Sequence, residues 1–139
     1  MKRILTIAAV LTVGLSAWGQ VASLDDQAKC AGQAEKVFKQ EARSYRSNGG
    51  DGDITFTSHY NSTLGHCFVT LTKVAASSPG DLNVDVRDAF EGSSTARFWG
   101  YRKPGEMEMG TVLCEIDGDR CNSLHAFEDQ LETKYGVKP

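Results

Sequence analysis

The chain has 139 residues, a formal net charge of −3 and 40% hydrophobic side chains. That length suits one ordinary domain built around a single core. The negative balance lacks the basic footprint of a nucleic-acid or anionic-membrane binder.

The first element is an export signal. Lys2 and Arg3 precede an uncharged run from Ile4 to Ala17, rich in Ile, Leu, Val and Ala, and Ala17-Trp18-Gly19 places small residues at the −3 and −1 positions a signal peptidase reads. The run is shorter than the roughly 20 residues of a membrane span. Residues 1–19 therefore read as a signal peptide and residues 20–139 as one mature α+β domain, exported to the periplasm or secreted and not membrane-spanning. Losing Lys2 and Arg3 makes the mature balance more negative, which further disfavours nucleic acid as a partner. Cys30 lies well past Gly19, so lipid attachment at a new N-terminal cysteine is not expected.

Four cysteines, Cys30, Cys67, Cys114 and Cys121, in an exported domain read as two disulfides. Proximity around an Asp117-Gly118 turn favours Cys114–Cys121, which leaves Cys30–Cys67. Closing that longer loop would stabilise the fold by roughly 3 to 4 kcal/mol.

Leu24 to Tyr45 has helical periodicity, with Leu24, Ala31, Ala34, Val37, Phe38, Ala42 and Tyr45 on one face, Cys30 at its edge and Ser23 followed by Asp26 as a capping arrangement. The Gly- and Asp-rich stretch Ser47 to Asp53 ends it. From residue 54 the period becomes two. Ile54, Phe56, Ser58 and Tyr60 share one strand face and Thr55, Thr57, His59 and Asn61 the other. Cys67, Val69 and Leu71 mark a second strand, Leu82, Val84 and Val86 a third, Ala96 to Tyr101 a fourth, and Thr111 to Ile116 a fifth. Short Gly-containing connections predict antiparallel neighbours. Leu124, Phe127, Leu131 and Tyr135 predict a last helix, capped by Asn122 or Ser123 and ended by Gly136. The expected fold is α+β: one antiparallel sheet of about five strands flanked by an N-terminal and a C-terminal helix, both most simply covering its one hydrophobic face.

The densest group of reactive side chains is Ser58-His59-Tyr60-Asn61 with His66 and Cys67. Cys67 with His59 or His66 as base would suit nucleophilic catalysis, but a bridged sulfur cannot attack. Zinc at His59, His66 and His125 would need convergence that no local spacing encodes. Counting Asp117 as the first position of a calcium loop brings Asp119 and Glu128 into register, but Cys121 and Asn122 fall where a ligand and a glycine are needed, so a plain turn explains Asp117-Gly118 better. No metal and no cofactor is therefore expected. Ser58, His59, Tyr60 and Asn61 stay a candidate binding stretch, and the second candidate is Arg97, Trp99 and Tyr101, which alternation puts on one face opposite Phe98. Facing solvent they would form a binding strip; facing inward, core.

The helix bearing Cys30, the Ser58-His59-Tyr60-Asn61 stretch leading to Cys67-Phe68-Val69, the Asp88-Ala89-Phe90-Glu91-Gly92 segment, and Cys114 with Cys121 before the last helix resemble a group of small exported bacterial proteins. The resemblance implies a shared exported fold and carries no activity, cofactor or catalytic residue. The sequence thus points to a disulfide-stabilised, non-enzymatic binding module of the bacterial envelope, with a protein, glycan or small-molecule ligand. The alternatives are a small envelope hydrolase or metal-dependent enzyme using His59 and His66, and a structural or assembly component.

Overall fold

The computed structural model describes residues 23–78 and 80–138. The expected signal peptide, residues 1–19, lies outside them. Helix α1 spans Leu24–Ser47, and Ser23 caps it by accepting a hydrogen bond from the N–H of Asp26. Six strands follow: β1 Asp53–Asn61, β2 His66–Val74, β3 Asp81–Asp88, β4 Ser94–Tyr101, β5 Gly110–Ile116 and β6 Asp119–Arg120. Helix α2, Leu124–Tyr135, closes the chain between an N-cap at Ser123 and a left-handed Gly136. The strands form one antiparallel meander in sequence order. The sixth strand is the two-residue return of the Asp117-Gly118 turn, too short to leave a periodic trace in the sequence.

Both disulfides pair as expected, Cys30 with Cys67 and Cys114 with Cys121. The first ties α1 to β2. The second ties β5 to the segment after β6, reinforced where the N–H of Cys121 donates to the carbonyl of Cys114.

The two helices do not share a face of the sheet. Cys67, Val69 and Leu71 of β2 point to α1 and form a cluster with Cys30, Ala34 and the partly buried Val37, Phe38, Phe56 and Tyr60. Phe68, on the opposite side of β2, belongs with Val84, Val86, Ala96, Phe98, Cys114 and Ile116 beneath Phe127 and Leu131 of α2. Register confirms the split, because Phe98 sits between Val84 and Cys114 in adjacent strands while Trp99, its neighbour in β4, pairs with Asn83 and Leu113 on the reverse side. The physical reason is that β2 carries buried apolar side chains on both sides, Cys67, Val69 and Leu71 on one and Phe68 on the other, and each side requires its own cover. Two residues assigned to the apolar stripe of α1 are exposed, Leu24 and Ala31.

Helix α1 packs over β1 and β2, and α2 over β4 and β5 on the other face. Each helix covers only half a face. The half left open beside α1 is the surface of β3, β4 and β5 that carries Trp99. No helix among the described residues is long and apolar enough to cross a membrane.

Candidate functional site

Strand β4 alternates cleanly between core and surface. Ala96, Phe98 and Gly100 are buried, while Arg97, Trp99 and Tyr101 are exposed on the open half-face. Trp99 is 44% and Tyr101 39% exposed, high values for large aromatic side chains on an interior strand. The strip therefore faces solvent, the first of the two arrangements the sequence allowed.

Across the sheet, Lys73, Asn83, Trp99 and Leu113 form one row on this face, and Asp85, Arg97 and Glu115 the next. Tyr101 pairs with Asp81 on one side and Gly110 on the other. Helix α1 ends against this surface, so Tyr45, in its last turn, faces Trp99 across a groove of about 300 Å³ that Lys73 and Asn83 also line. A neighbouring depression of about 480 Å³ contains Tyr101 and Arg102, and Asp81 borders both. Trp99 and Tyr101 thus line two adjacent depressions that meet at Asp81. Tyr45, Lys73, Asp81 and Asn83 have no motif spacing and were missed by sequence reasoning; register and the helix end bring them together.

Ion pairs anchor the groove's inner edge. Glu41 of α1 accepts from Arg87 Nη1 at 2.8 Å and from Lys73 Nζ at 3.4 Å, Arg87 Nε donates to Asp85 Oδ2 at 2.6 Å, and Ser94 Oγ donates to Asp85 Oδ1 at 2.8 Å. Burial works against the charge of Arg87, but Asp85 and Glu41 outweigh it and raise its already high pKa further. This network joins α1 to β2 and β3. It fixes the position of Lys73, whose ammonium lies 5.7 Å from the centre of the Tyr45 ring.

The Ser58 to Asn61 stretch does not converge. Ser58 and Tyr60 lie on the α1 side, where Tyr60 packs against the Cys30 cluster. His59 and Asn61 lie on the α2 side. Asn61 Nδ2 donates to the carbonyl of Tyr135 at 2.7 Å, and its Oδ1 accepts from the N–H groups of Thr63 and Leu64 at 3.0 Å each, so this side chain ties the β1–β2 turn to the end of α2. His66 has a partner that sequence reasoning missed. Its Nδ1 lies 2.6 Å from Oδ2 of Asp88. The two residues come together because β2 begins beside the end of β3, where Phe68 pairs with Asp88.

Cys67 is fully buried and bridged to Cys30, which removes it as a nucleophile. Among the described residues, no three His, Cys, Asp or Glu side chains are grouped to hold a metal ion. No protein-family model matches this chain, and comparisons with curated proteins and with solved structures returned no match.

Proposed function

We propose that this chain is an exported, disulfide-stabilised binding module of the bacterial envelope, related to the group of small exported proteins it resembles, and that its ligand contacts lie around Trp99. The observation that carries the reading is the uncovered half-face of the sheet, on which Arg97, Trp99 and Tyr101 stand exposed beside the end of α1. Burying these aromatic surfaces would contribute to the energetics of association, and exposed large rings are where interfaces concentrate binding energy. Export draws its support from the leader-like N-terminus and the bridged cysteines, which persist in oxidising compartments.

The test has two parts. Protein isolated from the producing cells should begin near Gln20, lie outside the cytoplasm and present no reactive thiol after denaturation without reductant. Immobilised wild-type protein should then retain a component of solubilised envelope that the Trp99→Ala variant releases. An intact leader in a cytosolic fraction, or equal retention by both proteins, overturns the respective half of the reading.

A second reading, a small envelope hydrolase, is favoured only by the His66–Asp88 pair, since a buried carboxylate orienting a half-exposed imidazole is one requirement of a general base. Hydrolysis of a generic ester panel that His66→Ala abolishes would favour it.

A further inference from the structure

We propose that the ligand of this face is a neutral oligosaccharide, lying across the two adjacent depressions, together called the groove, from the Tyr45–Trp99 walls to Tyr101; this rests on the binding-module reading above. The first support is a contrast between two halves of one surface. Along the inner edge the charged side chains are matched: Lys73 and Arg87 with Glu41, Asp85 with Arg87, and further along β4 Arg97 with Glu115. In the groove, no hydrogen bond or ion pair among the described residues engages the side-chain polar groups of Tyr45, Asp81, Asn83, Trp99, Tyr101 or Arg102. The groove therefore offers donors and acceptors together, next to aromatic faces.

Charge narrows the ligand further. The Asp81 carboxylate and the Arg102 guanidinium carry opposite signs, and Glu41 offsets Lys73, so the groove has no charge excess to attract a polyanion. Phosphate-backbone recognition requires such an excess. An extended peptide is also a poor fit, because β4 is paired on both sides and has no open edge for strand addition. Sugar hydroxyls both donate and accept, and the C–H faces of sugar rings stack on aromatic rings. That combination matches amide, carboxylate, indole N–H and phenol groups set between Tyr45, Trp99 and Tyr101.

The walls are also preorganised. A Cβ on Gly50 would fall 2.5 Å from the Tyr45 ring, so the absence of a side chain there lets that ring lie against the backbone. Tyr101 lies over Gly110, where a Cβ would make only ordinary van der Waals contact with the ring at 3.5 Å. Aromatic side chains already held in place lose little conformational entropy on binding.

The test is an NMR titration of the purified disulfide-bonded protein, following the Trp99 indole N–H resonance, assigned with Trp99→Phe. The probes are cellohexaose, chitohexaose and maltohexaose, with hexagalacturonate as an acidic comparison. At least one neutral hexasaccharide should give saturable shifts confined to the groove, and Trp99→Ala and Asn83→Ala should each weaken it about tenfold. The methyl resonances of Val69 and Leu131 report whether each variant remains folded. Preference for the acidic probe, or no response to any neutral one, overturns the saccharide assignment. If envelope retention still depends on Trp99 in that case, the binding face survives and only its ligand class falls; if retention is independent of Trp99, both fall.

Discussion

His66, at the start of β2, holds its Nδ1 2.6 Å from Oδ2 of Asp88, at the end of β3, and the aspartate is buried while the histidine side chain is 46% exposed. Oδ1 of Asp88 accepts from the N–H groups of Phe90 and Glu91 at 2.8 Å each, so one carboxylate joins two strands and the β3–β4 turn. Burial opposes its ionisation, but the bonds from His66, Glu91 and Phe90 outweigh that cost and hold the carboxyl below the ordinary 3.8. A carboxyl depressed on folding adds stability that is complete above its unfolded value and is lost as pH falls through its folded value. Urea midpoints should therefore fall on acidification below about pH 4, and Asp88→Asn should make that fall shallower. At neutral pH the same variant should cost about 1–3 kcal/mol, because it removes a buried charged acceptor. An unchanged acid limb in Asp88→Asn would assign the effect to other carboxyls.

The two disulfides should differ in strength. Cys30–Cys67 spans 37 residues and Cys114–Cys121 only 7. Loop-closure entropy predicts about 4 kcal/mol for the first and about 2 kcal/mol for the second. Denaturant unfolding of the paired alanine variants measures both, and a larger loss at Cys114–Cys121 would show that strand-end geometry, rather than loop length, governs stability here.

Phe98 and Trp99 are adjacent in sequence and opposite in role. Phe98 is fully buried between the sheet and Phe127, with ring centres 5.6 Å apart. Phe98→Ala should cost about 3–5 kcal/mol. Trp99→Ala, on the open face, should cost far less and leave the fold intact, which thermal unfolding of the two variants compares directly.

Two glycines should respond in opposite directions to the same change. Gly136 ends α2 at φ 67°, and a Cβ there would meet His59 Nε2 at 3.3 Å, so Gly136→Ala should destabilise by about 1–2 kcal/mol. Gly32 lies on the exposed side of α1 with nothing within 4 Å of a Cβ, and Gly32→Ala should stabilise by about 0.5–1 kcal/mol. Calorimetric Tm values of the two variants on either side of wild type are the expected result.

Much of this architecture is legible in the sequence because it is written locally. The period of Ala34, Val37, Phe38 and Ala42 marks α1, the alternation of Phe98 with Trp99 marks β4, and Ser23, Ser123 and Gly136 punctuate the helices. The short spacing of Cys114 and Cys121 likewise implied both bridges. Periodicity tells which residues share a side of a strand. It does not tell what will cover that side, since cover comes from elements distant in the chain. The run Cys67 to Leu71, apolar except at Thr70, was the one local sign that β2 is covered twice, and its meaning depends on where α1 and α2 dock. Only the tertiary structure decided that the helices take opposite faces, that Trp99 is left in the open, and that Tyr45, Asp81 and Asn83 stand around it, because those relationships arise from packing and register between distant segments and not from any spacing within one.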